Sequence, residues 1–155
     1  MVKLAIDTNI LFQFFKRGSR VREISKFVEL YAPSYALYEL YEKMDKIVKT
    51  LSISEEDYYK IYFSLGAIIN FVSETHYIDK LRDAYEIAKE FDEDDTPFIA
   101  LALKLGIPIW TNDKKMIIHG LKSGKYLALD TKAVEDLIVG ESLERVKEDL
   151  RKRVL

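Results

Sequence analysis

The chain has no cysteine and only two histidines, His76 and His119. That excludes disulfides and thiolate metal sites and argues against a histidine-rich zinc centre. Any metal site must therefore be built from oxygen. No run approaches the roughly 18 consecutive apolar residues that a membrane span requires, and the opening MVKLAIDTNI lacks the apolar core of a signal peptide. A cytoplasmic protein with no membrane partner is expected. Nor is there an excess of positive charge. Lys and Arg number 24 against 26 Asp and Glu, giving a formal charge of −2 and a pI near 5.8. Bulk electrostatics thus carry no nucleic-acid footprint, and an RNA substrate would have to be held by a local patch. Amides are scarce as well, while Glu, Lys and Ile are abundant, a composition like that of thermophile proteins.

What is present suits one folded unit. With 155 residues, 48% hydrophobic and 32% charged, the chain can bury a full core, and residues 1–155 read as a single domain without repeat, low-complexity segment or linker. VKLAI (residues 2–6) reads as a buried strand that stops at Asp7. NILFQFFKRG follows as a helix ending at Gly18, and a second amphipathic segment covers about Val21 to Leu30. LYAPS is a short strand leading into a helix from about Tyr35 to Leu51. Ser54 and Asp57 form a Ser-x-x-Asp cap on a helix expected to run to about Glu74. A helix from about Ile78 to Phe91 precedes the acid run DEDD. TPFIALALKLG then has Pro97 in its first turn and Gly106 at its stop. IPIW is the next strand, Tyr126 to Leu129 the last, and two helices separated by Gly140 close the chain. Strands alternating with helices predict an α/β fold whose parallel sheet is covered by helices on both faces.

The chemistry lies where strands end. In open parallel sheets ligands collect at the carboxyl ends of strands, and Asp7 and Asp113 each follow a strand. Glu39 stands about one helical turn beyond the second strand, and Asp95 opens the helix leading into the strand before Thr111-Asn112-Asp113. Carboxylates crowded into one pocket repel each other, and a hard cation such as Mg²⁺ or Mn²⁺ relieves that repulsion. Such an ion lowers the pKa of a coordinated water and polarises a phosphoryl oxygen, as phosphodiester hydrolysis requires. Taken singly, Asp7, Asp95 and Asp113 read better as helix caps, and Glu39 as a solvated surface acid. Their joint recurrence at strand ends is what favours a site, because a cap requires no particular neighbours.

The same residues carry a family resemblance. IDTNILF, APSYALYEL and DEDDTPFIALALKLGIPIWTND resemble, in order, the successive blocks of the PIN-domain family in its VapC type, over roughly residues 2–130, with 131–155 as C-terminal helices. The resemblance implies a three-layer PIN-like fold and a metal-dependent endoribonuclease, the toxin of a toxin–antitoxin pair. It places catalytic and metal-binding roles on Asp7, Glu39, Asp95 and Asp113, with Mg²⁺ or Mn²⁺ as cofactor. Asn9, Asp92, Thr111 and Asn112 would lie around them or touch substrate. For Thr111 and Asn112 an Asx-type turn at the strand end is an equal alternative. RNA as substrate, a small antitoxin as partner and products with a 5′-phosphate and a 3′-hydroxyl are likewise implied.

Competing readings follow from other residues. A PIN fold that no longer cuts RNA and serves as a binding module is the main alternative. A haloacid-dehalogenase type of phosphohydrolase would need an Asp where Asn9 stands. Asp130 follows a strand too, but without a following Asn it reads as a cap. His76 and His119 read as surface residues, and the basic residues Lys16, Arg17, Arg20 and Arg22 as solvated helix surface. The segment from Ser54 to Glu74 is apolar on two sides, with Tyr59, Phe63, Ala67 and Phe71 opposite the core set. Together with the dimers common among such proteins, this predicts a homodimer.

Overall fold

In the computed structural model, which describes residues 1–155, five strands form one sheet: Val2–Ile6 (β1), Val28–Pro33 (β2), Ile69–Val72 (β3), Ile109–Trp110 (β4) and Ala128–Leu129 (β5). Every pairing is parallel, and the order is β3-β2-β1-β4-β5. Strands buried on both faces need continuous apolar runs, not alternation. Leu4, Ala5, Ile6, Ile109, Trp110, Ala128 and Leu129 are indeed all fully buried.

The helices are Thr8–Gln13 (α1), Arg20–Ser25 (α2), Tyr35–Glu42 (α3), Met44–Leu51 (α4), Glu55–Ser64 (α5), Glu74–Tyr77 (α6), Leu81–Ala88 (α7), Thr96–Leu105 (α8), Lys114–Ser123 (α9), Thr131–Ile138 (α10) and Leu143–Val154 (α11). The result is the expected α/β three-layer arrangement. Helix α8 is the central one. Phe98, Ile99, Ala100, Leu101 and Ala102 are all buried, because the helix packs on β1, β2 and β4 and also against α7. Each such Phe, Ile or Leu side chain contributes about 1.5–3 kcal/mol of burial free energy. Pro97 sits in its first turn, and Gly106 ends it with φ +66°, a left-handed conformation that glycine adopts without strain. No helix is long and apolar enough to cross a membrane.

Three sequence expectations need correction. The segment from Ser54 to Glu74 is not one helix. Ser54 does cap α5, accepting from the Asp57 amide at 3.0 Å, but the helix gives way after Ser64 to a 3₁₀ turn over Leu65–Ala67 and then to β3. The pairing of Leu30–Pro33 with Ile69–Val72 satisfies the backbone of that stretch, and Asn70 Nδ2 adds a bond to the Leu30 carbonyl at 3.1 Å. Tertiary pairing here overrides a helical spacing of apolar residues. The expected helix from Tyr35 to Leu51 is broken at Lys43, whose φ of −96° and ψ of +12° separate α3 from α4. Leu30, expected at the end of a helical segment, lies in β2 after α2 stops at Ser25.

The topology fixes where a site can be. From β1 the chain steps outward through β2 to β3, then returns to the other side of β1 for β4 and β5. In open parallel sheets ligands bind at such a reversal, which here falls at the carboxyl ends of β1 and β4.

Candidate active site

Asp7 is the first residue after β1 and only 3% exposed. One carboxylate oxygen caps α1, accepting from the Ile10 amide at 2.9 Å. The other accepts from the Thr111 hydroxyl. One side chain therefore both caps α1 and is tied to the end of β4. Burial pushes its pKa from 3.8 up to about 6, against the pull of the Thr111 and Ile10 hydrogen bonds, with Asp113 adding to the rise.

Thr111 follows β4 and is fully buried. Its hydroxyl donates to Asp7 and accepts from the Asp113 amide at 3.0 Å, so it ties the ends of β1 and β4 together. Asp113 is half-buried and caps α9 by accepting from the Lys115 amide at 2.9 Å. Asp95 stands at the N-terminus of α8 but makes no capping bond. Its pKa is raised from 3.8 to about 7, first by burial and then by repulsion from Asp92, Asp7, Asp113 and Asp94. Thr111 ties Asp7 to the Asp113 backbone, and Asp95 feels the charge of both. None of Asp7, Asp92, Asp94, Asp95 or Asp113 has a Lys or Arg partner within 4.0 Å.

Glu39 reaches the same edge from α3. It accepts from the Thr8 hydroxyl at 3.2 Å, and Thr8 is the residue after Asp7. Its other oxygen lies 3.6 Å from the Lys43 ammonium, so unlike the three aspartates it has a cation of its own. Tyr35, one turn before it, has a pKa raised by burial and then by Glu39, Asp94 and Glu42.

The surrounding candidates divide. Asp92 is exposed and caps the turn before α8 by accepting from the Asp94 amide at 3.0 Å, and it is the acid that acts most strongly on Asp95. Asn112, by contrast, accepts from the Thr131 amide and hydroxyl at 3.2 and 3.1 Å. Of the Thr111–Asn112 pair, only Thr111 bonds to an acid. Asn9 is exposed at the mouth of a groove beside α1. Asp130 caps α10, accepting from Ala133, and is clamped by the Arg153 guanidinium at 2.6 and 3.1 Å, which makes it a structural acid. His76 is exposed. His119 departs from expectation, being half-buried, stacked on Tyr126 at 5.9 Å and tilted against Phe91 at 5.3 Å between centroids.

Thr8 and Tyr126 are neighbours of these acids that the expected set of site residues did not include. Thr8 was visible as the middle residue of Asp-Thr-Asn. The Tyr126 hydroxyl donates to the Met116 carbonyl at 2.6 Å, and its pKa is raised by burial and then by Asp95 and Asp113. Its ring lies over Gly120, where an added Cβ would come within 2.9 Å of it. That close approach would have needed the fold to be known.

The tightest acid cluster lies elsewhere. Ligand atoms of Asp136, Glu141 and Asp149 come within 4.8 Å of one another, whereas no three of the four expected acids do so. Lys132 stands 3.5 Å from Asp136, and Asp136 and Asp149 also act on Arg153. Lys132 and Arg153 offset part of that cluster's charge, although the buried Glu141 Oε2 has no hydrogen-bond partner, whereas Asp7, Asp95 and Asp113 have no Lys or Arg within 4.0 Å at all. The region thus offers hard oxygen donors, with Asp113 raising the pKa of Asp7 and both of them that of Asp95, and no Lys or Arg paired to the three aspartates. Such a donor set fits Mg²⁺ or Mn²⁺.

Compared with known families, the chain matches the PIN domain over residues 5–151. No curated protein matches it at significant similarity.

Proposed function

Because the chain belongs to the PIN-domain family, whose members are generally nucleases that bind divalent metals and act on RNA, we propose that it is a Mg²⁺- or Mn²⁺-dependent endoribonuclease of the VapC type, with residues 1–155 as a single such domain. The observation that carries this reading is the set of three aspartates at the sheet's switch point, mutually repelling and without a cationic partner.

Asp7, Asp95 and Asp113 hold the metal in this reading, and Glu39 acts beside them through its bond to Thr8. A bound divalent ion supplies Lewis-acid charge that acidifies water and offsets the charge growing on the phosphoryl oxygens. Thr111 fixes the rotamer of Asp7 and, through its acceptor bond, the backbone that presents Asp113. Asp92 adds negative potential to Asp95 and so strengthens the demand for a cation. Water's oxygen bonds to phosphorus as the P–O3′ bond breaks, leaving a 5′-phosphate and a 3′-hydroxyl.

The reading extends to partners. A small antitoxin protein would restrain the enzyme by covering the acidic crevice. A homodimer would bury the aromatic surface of α5, where Phe63 is 77% exposed and stacks on Tyr59 at 6.0 Å between centroids. Aromatic side chains that exposed are favoured at interface centres.

Incubation of the purified protein with structured and single-stranded RNAs in Mg²⁺ or Mn²⁺, with and without EDTA, tests the proposal. Cleavage that stops with chelator and leaves 5′-phosphate ends is expected. RNA that is bound but never cut under either metal would replace the enzyme with a binding module.

A further inference from the structure

The basic run Lys16, Arg17, Arg20 and Arg22 does not fold as one solvated face. Arg20 pairs with Glu135, whereas Arg17, Gly18 and Arg22 line a recess of about 320 Å³ with Asp57 and Lys60 of α5 on its walls. It lies past the end of α1 that Asp7 does not cap, and none of the site acids lines it. Neither Arg17 nor Arg22 has a carboxylate within 4.0 Å, and Lys60 meets only Glu56, in an exposed pair at 3.4 Å that holds it weakly. Asp57 has no Lys or Arg within that distance either. Three cations and one acid thus face the same space without touching, which leaves room for a group that satisfies both. Arg22 is half-buried. One of its Nη atoms donates to the Lys16 carbonyl at 2.6 Å, while its Nε is shielded from water and has no hydrogen-bond partner. Such an unpaired buried donor is costly and rare. The amides of Arg17, Gly18 and Ser19 donate to no backbone carbonyl, and Gly18, with φ +61° and no side chain, leaves that turn open to a ligand.

We propose that this recess binds a sugar phosphate, a small phosphate monoester, separately from the acid site and independently of what the aspartates do there. Arg17 and Arg22 take the phosphate, because a guanidinium presents paired N–H donors that match an oxyanion and the bonds are charge-assisted. The Lys16 carbonyl holds Arg22 in place before the ligand arrives, so less order is lost on binding. Lys60 adds a third charge. Asp57 sets the class of ligand. Its amide is engaged by Ser54 at 3.0 Å, but its carboxylate is free to accept, and it repels a bare anion while accepting from a sugar hydroxyl. The size agrees, since about 320 Å³ falls in the range of small-molecule sites and exceeds what inorganic phosphate fills. Ile53, buried, and Ile61, half-buried, supply an apolar wall for the carbon skeleton.

Calorimetric titration of the full chain in EDTA with ribose 5-phosphate, adenosine 5′-monophosphate and inorganic phosphate tests the proposal. Both monoesters should bind more tightly than inorganic phosphate. Adenosine 5′-monophosphate binding above ribose 5-phosphate would point to a nucleotide as the source, and equal binding to the sugar phosphate itself; either supports the site. Arg17→Gln, at an exposed position, should weaken ribose 5-phosphate roughly tenfold, the loss of one charge-assisted hydrogen bond. Arg22→Gln should do the same, and Arg17→Gln carries the test if loss of the Lys16 contact unfolds that variant. Asp57→Asn should act with opposite signs, weakening ribose 5-phosphate and strengthening inorganic phosphate, a split that a general loss of structure does not produce. Lys122→Gln, the same loss of charge on α9, should stay within about twofold of wild type, since distant exposed charges are screened. Unchanged ribose 5-phosphate affinity in Arg17→Gln, or inorganic phosphate bound as tightly as the monoesters, overturns the proposal. No binding of any of the three at about 10 mM, weaker than any specific small-molecule site, overturns it too. So does equal competition by an oligoribonucleotide without a terminal phosphate, which would assign the recess to an RNA backbone.

Discussion

Replacing Asp7 by Asn should stabilise the metal-free protein at alkaline pH, although it removes a buried group with two hydrogen bonds. Raising the Asp7 pKa from 3.8 to about 6 means that the charged carboxylate is disfavoured in the folded state by about 3 kcal/mol. The substitution abolishes that cost. Against it stands the Thr111 hydroxyl, which donates to Asp7 and also accepts from the Asp113 amide. An amide nitrogen turned toward Thr111 cannot accept its proton, a loss of about 1 kcal/mol. The bond from Ile10 survives on the amide oxygen. The balance is about 2 kcal/mol in favour of the variant, roughly 4–8 °C in melting temperature for a chain of this length. The sign depends on pH. For an acid whose folded pKa lies above its unfolded value, the unfolded chain releases its proton first, so wild-type stability falls as pH rises from about 3.8 to about 6 and is level beyond. The advantage of Asp7→Asn should therefore be full at about pH 8 and vanish near about pH 4.5. Thermal and urea melts in EDTA at both values measure it. An Asp7→Asn variant less stable than wild type at the higher pH, or a difference that does not change with pH, would refute the electrostatic reasoning.

Three further outcomes are expected. Millimolar Mn²⁺ or Mg²⁺ should raise the wild-type melting temperature, as any ligand of the folded state does, and more at about pH 8 than at about pH 6, because the cation competes with the proton that Asp95 holds up to about pH 7. The shift should vanish in Asp95→Asn. Gly120→Ala should cost about 1–3 kcal/mol by overpacking, since its Cβ would meet the Tyr126 ring at 2.9 Å, and urea melts would show it. Light scattering of the wild type should give twice 18.1 kDa, and Phe63→Glu should return it to monomer, since a buried unpaired charge would face its copy across the two-fold. A wild-type monomer, or a dimer indifferent to Phe63→Glu, would remove that interface.

Much of the fold was legible because its strongest signals are local. VKLAI, IPIW, Pro97 and Gly106 act through burial, ring constraint and backbone freedom within a few residues of themselves. β3 was not legible, because Ile69 and Val72 also continue the apolar spacing of α5, and only pairing with β2 decides between the two. The expectation that Asp7 and Asp113 share one edge followed from a topological rule applied to strand ends, and Asp95 was added as the residue that opens the helix leading into β4. The partition inside Thr111-Asn112 did not, since both are polar residues at a strand end. The structure gives Thr111 to the acids and Asn112 to Thr131 through contacts 104 and 19 residues apart in sequence.

The central claim, that unpaired aspartates at the switch point form a metal-dependent nuclease centre, meets its most direct test in two single substitutions. Single-turnover cleavage of one RNA in Mg²⁺ should fall at least about a hundredfold in Asp95→Asn, which removes a charge meant for the cation. It should stay within about threefold of wild type in Asp130→Asn, whose carboxylate is already engaged by Arg153. Equal losses in the two variants, or full activity in Asp95→Asn, would contradict the account.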